Sequence, residues 1–455
     1  MENKSKIKNK PVSADKMLVI GFAFIISLGA ILLSLPQSSS TGESVGFLNA
    51  LFTSTSATCV TGLTTVDTGT AFSSLGHFII ITLIQIGGLG FMIFATLILI
   101  ALGKRISLKN RMLLRDTFNI DGLTGVVKLS LKVIAIALSF EIIGAMVLLI
   151  RFIPMFGLKK GIAYSLFHSI SAFCNAGFDL FGNFDSLTNF ANDPLVLITI
   201  ALLIIFGGLG FLVISDLIHN KLSFKKLRLH SKIVIVSTIF LLIFGTVIFY
   251  ITEIDNTPLW NKTIDNFFNR CVNTFFQSTT LRTAGYASLD QAHLTNAGKL
   301  ISVILMFIGA SPTSTGGGVK TSTMFILMLE MWYIIRGDDD VKAFDKTINH
   351  KQINRASAIV LIYLLLLLFS SFLISIFERH TDKQLIDIMF EAVSAMATVG
   401  VTSVGSANFS IPAQITLIIL MYLGRVGPLT LAVALASKQN SKPKIQYPEE
   451  RILIG

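Results

Sequence analysis

The sequence contains little cysteine and little charge. Its three cysteines, Cys59, Cys174 and Cys271, are too few and too scattered for a disulfide framework or a transition-metal site. Only 14% of the 455 residues are charged, whereas a soluble domain carries about 25%. Hydrophobic residues make up 52% of the chain and the mean hydropathy is +0.72. This composition excludes an ordinary soluble domain and predicts a protein whose outer surface faces lipid.

Motifs for catalysis, nucleotide binding and nucleic-acid binding are also absent. There is no Walker A sequence, no Rossmann fingerprint and no His-Glu-x-x-His zinc motif. Carboxylates are sparse in the apolar segments, where Glu141 stands nearly alone, and His168 beside Ser169 fits a short membrane helix better than a catalytic site. The net charge of +11 forms no basic patch with interleaved aromatic residues. We therefore expect no enzyme activity, no cofactor bound by this chain and no nucleic-acid partner.

Eight long apolar segments predict eight transmembrane helices, because a helix needs about 20 apolar residues to cross the hydrocarbon. They lie roughly at 17–35, 76–102, 128–152, 194–218, 231–252, 297–335, 355–377 and 412–437. Within each successive pair lies a shorter, half-apolar stretch, roughly at 46–58, 161–174, 264–280 and 384–397. These stretches are too short to cross and predict re-entrant helices. The predicted fold is an all-α integral membrane protein.

Lysine and arginine concentrate in the two tails and in every second loop. The basic loops follow the second, fourth and sixth segments, around Lys104, Lys221 and Arg336, whereas residues 36–46 contain neither lysine nor arginine. By the positive-inside rule, both termini are cytoplasmic, with tails at 1–16 and 438–455, and the re-entrant stretches enter from outside. No small-residue cleavage site follows the basic start, so we expect the first segment to be retained.

The four re-entrant stretches align with one another, which indicates an internal repeat. The alignment is centred on one glycine each: Gly62, Gly177, Gly285 and Gly400. Ten positions earlier stand Phe52, Phe167, Phe275 and Phe390, and six positions earlier stand Ser56, Ser171, Thr279 and Ser394. The sequence therefore predicts four units of span, pore helix, glycine turn and span around one pore, at 17–102, 128–218, 231–335 and 355–437.

This repeat unit predicts a cation pathway. A half-helix that stops in the membrane directs its partially negative end at the pore, and the following carbonyls can replace an ion's hydration shell. The predicted ion-binding lining is Val60, Thr61, Gly62, Asn175, Ala176, Gly177, Thr283, Ala284, Gly285, Thr398, Val399 and Gly400. The alternative is that the glycines are ordinary helix-packing positions. Asp67, Asp179 and Asp290 follow closely, either as a cation-concentrating mouth or as loop and cap residues.

The sixth apolar segment cannot be one continuous helix, because proline removes a backbone bond and glycines favour unwinding. The interruption should lie mid-membrane below the lining and consists of Gly309, Ala310, Ser311, Pro312, Thr313, Ser314, Thr315, Gly316, Gly317 and Gly318. Arg425 is a charge within the last segment, which costs about 2.5–3.5 kcal/mol to insert and usually marks a pathway. We expect it to face the pore near the interruption, or alternatively to cap helix carbonyls. Lys320 either joins this region or extends towards the cytoplasm.

At these residues the sequence resembles the membrane subunit of Trk/Ktr/HKT-type potassium transporters, most closely of the KtrB type. The resemblance covers about 17–437. It rests on Cys59-Val60-Thr61-Gly62-Leu63, on Gly87-Gly88-Leu89-Gly90-Phe91 with its echo Gly207-Gly208-Leu209-Gly210-Phe211, on Ser314-Thr315-Gly316-Gly317-Gly318-Val319-Lys320-Thr321, and on Gly424-Arg425-Val426-Gly427-Pro428.

The resemblance implies potassium uptake across a bacterial plasma membrane, with K⁺ bound at the four glycine turns and the interruption acting as a gate. It also implies a homodimer with one pore per protomer and a cytosolic RCK-type ring of nucleotide-binding regulatory subunits. A single glycine per repeat implies that sodium can compete with potassium. Transport of another monovalent cation, sodium or ammonium, is the alternative function.

Overall fold

The computed structural model describes residues 14–101, 111, 112, 114, 115, 125–260, 264, 266–338, 340–428, 430 and 431. Most of the predicted tail 1–16, all of the tail 438–455 and the last residues of the fourth predicted unit lie outside this set. The described chain is mostly helical, as predicted. Two short strands, Lys342–Ala343 and Lys346–Thr347, form an antiparallel hairpin.

The main helices follow the predicted order of long and short apolar segments. They are α1 (Ala14–Leu33), α2 (Phe47–Cys59), α3 (Ser74–Leu89), α4 (Phe91–Ala101), α5 (Val126–Phe156), α6 (Leu158–Phe173), α7 (Pro194–Leu209), α8 (Phe211–His219), α9 (Leu229–Thr252), α10 (Phe267–Thr280), α11 (Asn296–Phe307), α12 (Thr321–Arg336), α13 (His350–Phe377), α14 (Leu385–Met396) and α15 (Ile411–Val426). Four-residue helices at Thr68–Ala71 and Thr257–Trp260 lie in the connections.

The first helix of each predicted unit is long and apolar. Among the described residues, α1, α5, α9 and α13 have the length and composition to cross a membrane, and the bent pair α7 and α8 would be a fifth crossing. The helices α3, α11 and α15 are apolar but shorter. The long apolar helices therefore form the lipid-facing outer part of the bundle. They enclose the short helices α2, α6, α10 and α14.

The second helix of each predicted unit is broken, although the sequence predicted an interruption only in the third unit and a continuous span in the other three. Single glycines make three of the breaks: Gly90 after α3, Gly210 after α7 and Gly427 after α15, with φ of 88°, 93° and 88°. These φ values interrupt a helix, and glycine adopts them without the Cβ penalty of other residues. The α7 and α8 axes differ by 93°. In the third unit, residues 308–320 separate α11 from α12, and we call them the break segment.

The first three units share one packing contact between the long helix and the short helix that follows it. A glycine on the long helix, Gly29, Gly144 or Gly245, faces a serine on the short one. The serine Oγ donates to the carbonyl three residues before that glycine: Ser54 to Ile26 (2.7 Å), Ser169 to Glu141 (2.6 Å) and Ser278 to Leu242 (3.0 Å). Because any larger side chain at these glycines would displace the serine, the contact fixes each short helix against its long neighbour.

Candidate functional site

Four short helices end at the centre of the bundle. They end at Cys59, Phe173, Thr280 and Met396, close to the ends expected from the sequence. In every case the chain then makes the same turn. The residue two positions before the aligned glycine has a positive φ, namely Val60 (59°), Asn175 (58°), Thr283 (68°) and Thr398 (53°). The glycine has one too: Gly62 (100°), Gly177 (71°), Gly285 (87°) and Gly400 (103°).

The four turns close into a ring. A Cβ placed on each glycine would collide with the carbonyl oxygen that precedes the glycine of the next unit. The order is cyclic: Gly62 meets Ala176, Gly177 meets Ala284, Gly285 meets Val399, and Gly400 meets Thr61. For Gly62 the separation would be 2.7 Å. The four glycine turns therefore share one central axis, and only glycine fits at these positions.

Hydroxyl side chains of the short helices donate hydrogen bonds to backbone carbonyls of the turns. Ser171 Oγ donates to Phe178 O (2.9 Å) and Ser394 Oγ to Val401 O (2.6 Å), one residue beyond the respective glycine. In the third unit the equivalent donor is Thr280, which bonds Tyr286 O (2.6 Å). Sequence alignment had matched Thr279 to these serines, but its hydroxyl bonds Phe275 O within its own helix.

The alignment of the third unit is therefore wrong by one residue upstream of its glycine. The Ala284 amide bonds to Thr280 O, four residues back, whereas the corresponding amide in the other units bonds five residues back. The third unit has one residue fewer between helix and glycine. The buried phenylalanine equivalent to Phe52 is accordingly Phe276, which is 0% exposed, and not the half-buried Phe275.

A vestibule of about 680 Å³ lies on one side of the ring, lined by the four glycines and by Asp179, Asp185 and Asp290. Burial raises the pKa of Asp179 to about 7. Asp290 caps the turn Gln291–His293 by accepting from Ala292 N (3.0 Å). Asp67 caps Thr68–Ala71 and accepts from Asn183 N (2.6 Å). Asp67 and Asp290 are thus both cap residues, and Asp290 also lines the mouth together with Asp179.

The break segment covers the other side of the ring. A Cβ at Gly316 would collide with Thr283 Oγ1, and one at Gly317 with Thr398 Oγ1. The two ends of the segment pair with each other, through Gly309 N to Val319 O (2.8 Å). Thr315 lies 3.2 Å from the side-chain amide of Asn175. Asn175, Thr283 and Thr398 each stand two positions before an aligned glycine. Three of the four equivalent positions therefore contact the break segment.

The helix break at Gly210 holds the middle of the break segment. Ser311 N donates to Gly208 O (3.1 Å) and Thr315 N to Gly207 O (3.3 Å), while Phe211 N donates to Thr313 O (3.0 Å). In the sequence, the Gly-Gly-Leu-Gly-Phe motif indicates only the family resemblance. In the fold, this motif exposes carbonyls that an unbroken helix would have used internally.

Two half-buried cations bind consecutive carbonyls of the break segment. The Arg425 guanidinium donates to Thr315 O, and also to Gly87 O and Gly88 O (3.3 Å) at the end of α3. Lys320 Nζ donates to Gly316 O (2.7 Å), so it folds back onto the segment instead of extending to water. Arg425 both caps helix carbonyls and joins the segment to the first unit, so the two interpretations of its role are compatible.

Among the described residues, two hydroxyls of the lining, Thr61 Oγ1 and Thr398 Oγ1, are buried without a hydrogen-bond partner. Buried hydroxyls usually have such a partner, which a bound cation could supply here. Among the described residues, no group of three His, Cys, Asp or Glu side chains could hold a transition metal. The donor set at the ring consists of carbonyl and hydroxyl oxygens, which suits a hard cation.

Some polar contacts had no sequence signal because their partners are distant along the chain. Lys299 Nζ forms a buried ion pair with Asp387 Oδ1 (2.8 Å) between α11 and α14. One turn further along α14, Glu391 accepts from Ser406 and from Thr402 (2.6 Å). These carboxylates fix the loop that follows the fourth glycine.

Comparison with known proteins identifies the family. The family model TrkH, described as cation transport protein, matches residues 3–446. The chain is 40% identical over 448 residues to the potassium/sodium uptake protein NtpJ of Enterococcus hirae, covering 98% of each chain. It is 40% identical over 442 residues to the Ktr system potassium uptake protein B of Vibrio alginolyticus, covering 97% of this chain and 94% of that protein.

The fold is similar to the crystal structure of the potassium transporter TrkH from Vibrio parahaemolyticus. The TM-score is 0.71 at 17% identity, with 95% of this chain and 87% of that chain covered. Apolar helices and this fold make the chain a transporter of the cell membrane, and its family transports cations and is not a family of enzymes. By sequence and by fold, the chain belongs to the TrkH family of cation transport proteins.

Proposed function

We propose that this protein takes up potassium across the cell membrane through the ring of glycine turns. The observation that carries the proposal is the cyclic approach of each glycine to the carbonyl of the next unit. Four converging short helices direct partially negative ends towards this ring, and carbonyls can replace the hydration shell of K⁺. The predicted lining residues, from Val60 to Gly62 and their counterparts, would then be the selectivity filter. Both named relatives are potassium uptake proteins.

Sodium is the second candidate substrate. The Enterococcus hirae relative is named a potassium/sodium uptake protein. The ring has one glycine per unit, so few successive carbonyl layers are available to discriminate between ions. Competition of rubidium uptake by sodium, potassium and ammonium separates these substrates.

The break segment serves as the gate in this proposal. It lies against Thr283 and Thr398, directly below the ring, and therefore stands in the conduction path. Arg425 and Lys320 bind its carbonyls of Thr315 and Gly316. Conduction requires that the segment leave this position, which breaks those contacts.

The four units would cross the membrane eight times, with both termini in the cytoplasm and the acidic vestibule outside. Among the described residues nothing serves as an energy source, so flux should follow the membrane potential, worth about 2.3 kcal/mol per charge per 100 mV. The Ktr system to which one relative belongs favours a regulatory partner. We assign this role to a cytosolic nucleotide-binding ring that binds a homodimer of this chain and displaces the break segment.

Potassium uptake by a transport-deficient cell tests the proposal, with Gly400→Ala as the decisive variant. Its Cβ would collide with Thr61 O inside the ring. The matched control is Gly42→Ala, because Gly42 also has a positive φ (76°) but has nothing within 4 Å of its Cβ position. Uptake should be lost in Gly400→Ala and largely kept in the control. Wild-type uptake by a well-expressed Gly400→Ala protein would overturn the assignment of the filter.

A further inference from the structure

An apolar cavity of about 290 Å³ lies between α9 and α12, on the outer side of the third unit. Its floor includes Leu241, Ile308 and Thr321, which are 7%, 5% and 1% exposed. Its rim includes Phe240 and Met328, which are 57% and 50% exposed. Exposure therefore rises from the floor to the rim, and the cavity opens towards the surface that faces lipid.

The floor of this cavity includes Ile308, the first residue of the break segment, and Thr321, the residue that follows its last. Ile308 begins the segment and pairs with Val319 near its other end. Thr321 follows the segment; its amide bonds Ala310 O (3.3 Å) and its hydroxyl lies 3.1 Å from Ser311 Oγ. A molecule in the cavity would contact both ends of the segment at once. Its binding would therefore depend on where the segment lies.

Basic side chains lie at the predicted cytoplasmic end of the same groove. Lys232 is one helical turn before Val236 of the rim, and its Nζ lies 5.7 Å from the ring centroid of Phe224. On α12 the Arg336 guanidinium lies 4.7 Å from the ring centroid of Trp332. Among the described residues, neither Lys232 nor Arg336 forms an ion pair. Tryptophan and basic residues of this kind mark the level of lipid headgroups.

We propose that an anionic phospholipid binds this groove, with one acyl chain in the cavity and its phosphate near Lys232 and Arg336. The lipid stabilises the described position of the break segment and so lowers flux. A ligand shifts an equilibrium only by binding one state better than the other, and the contact with both segment ends provides that difference. An apolar cavity with basic side chains at its predicted cytoplasmic end fits a phospholipid, which has acyl chains and a charged phosphate. It fits the apolar face of a second copy of the chain less well.

Lipid binding can be measured without reference to transport. Trp260 and Trp332 are the two tryptophans of the chain and are replaced by phenylalanine. Phe240→Trp then reports from the rim, in nanodiscs of phosphatidylcholine to which lipid with brominated chains is added. The control reporter is Leu202→Trp on α7, which is 45% exposed and whose helix contains no lysine or arginine.

Brominated phosphatidylglycerol should quench Phe240→Trp at a roughly 30-fold lower mole fraction than brominated phosphatidylcholine, because each of the two basic residues contributes about 1 kcal/mol of attraction. Leu202→Trp should be quenched equally by both lipids. Lys232→Gln with Arg336→Gln should remove the difference at Phe240→Trp. Equal quenching by the two lipids at the rim would overturn the proposal, and so would absence of quenching, which would indicate that protein covers the groove.

The effect on the gate rests on the proposed function and needs a separate arm. Rubidium flux should be several-fold lower in vesicles with phosphatidylglycerol than in pure phosphatidylcholine, and the Lys232→Gln, Arg336→Gln protein should lose this difference. Lys159→Gln with Lys160→Gln removes the same charge at exposed positions of α6 and should retain it. Selective quenching with lipid-independent flux would refute the link to the gate. Selective quenching without flux in any lipid would contradict the proposed function and support the lipid site.

Discussion

Replacing Arg425 by lysine should increase ion flux. The guanidinium reaches carbonyls on two elements, Thr315 O in the break segment and Gly87 O and Gly88 O at the end of α3. The planar guanidinium of arginine has several N–H donors and can bridge these acceptors. The lysine side chain ends in a single compact ammonium group on a flexible chain. Lysine therefore keeps the positive charge and loses the bridge. If the bridge holds the segment below the ring, its loss favours the open state.

The size of the effect follows from the contact that is lost. A hydrogen bond to a charged group contributes about 1.5–3 kcal/mol. Since about 1.4 kcal/mol is a tenfold change in an equilibrium constant, losing the Thr315 contact should raise the ratio of open to closed protein roughly 10- to 150-fold. The gain in flux is smaller if the wild-type protein is already partly open, because flux cannot exceed that of fully open protein.

The assay is rubidium flux into proteoliposomes that contain only this chain, under an imposed membrane potential. Arg151→Gln is the control, because Arg151 is an exposed cation paired with Asp193 and does not contact the break segment. The amount of folded protein is matched by size-exclusion chromatography. A wild-type flux for Arg425→Lys would refute the bridge. An increase in Arg425→Gln alone would show instead that charge repulsion limits conduction.

Four further predictions follow from the same geometry. Deleting residues 310–317 should raise rubidium flux to a level that Arg425→Lys no longer changes, whereas unchanged flux in the deletion would contradict the gate. Gly285→Ser should reduce the preference for potassium over sodium in competition assays, because its side chain would displace the adjacent carbonyl of the ring; an unaltered preference would contradict the filter. Asp387→Asn should lower the thermal unfolding temperature, because breaking a buried ion pair costs about 3–5 kcal/mol, and Lys299→Met should behave similarly. An unfolding temperature equal to that of the wild type would show that this ion pair does not stabilise the fold. Uptake should fall as the outer pH drops through about 7, where the Asp179 carboxylate becomes protonated, and Asp179→Asn should abolish this dependence; an identical pH profile would exclude Asp179 as its source.

The short helices and their glycines were predictable because the membrane leaves few alternatives. An apolar stretch too short to cross must return, and its turn needs glycine wherever backbones meet. Four such stretches at matching spacing therefore indicate one shared axis. Gly400 of the last unit approaches Thr61 O of the first unit and so closes the ring. This contact agrees with the expectation of one shared axis.

Breaks and long-range contacts were not predictable from local patterns. Hydropathy continues across Gly90, Gly210 and Gly427, so the second segments of the first, second and fourth units were each expected to be one helix. The shift of one residue at Thr280 was hidden because Phe275 and Phe276 are adjacent and either satisfies the alignment. The acceptors of Arg425 are backbone carbonyls, which every residue has, so no side-chain pattern marks them.

The hydrogen bonds of the break segment suggest that it moves as a unit. Its backbone groups at Ser311, Thr313 and Thr315 bond to the α7–α8 junction, and Thr315 O also bonds Arg425. Leaving one buried polar group unpaired costs about 1–3 kcal/mol. A partial displacement would leave several groups unpaired, whereas full displacement into a wet pore would let water replace all of them.

Because Phe211 N bonds Thr313 O, α8 begins on the break segment itself, while α12 continues from the segment's other end. A force on either helix therefore reaches the segment through backbone bonds and not through flexible side chains. The proposed cytosolic partner would then need to shift only α8 or α12 to change the proposed gate. Hydrogen exchange of the segment's amides should then change together, in a single step, when such a partner binds; amides that respond one by one would show a graded movement and contradict the two-state gate.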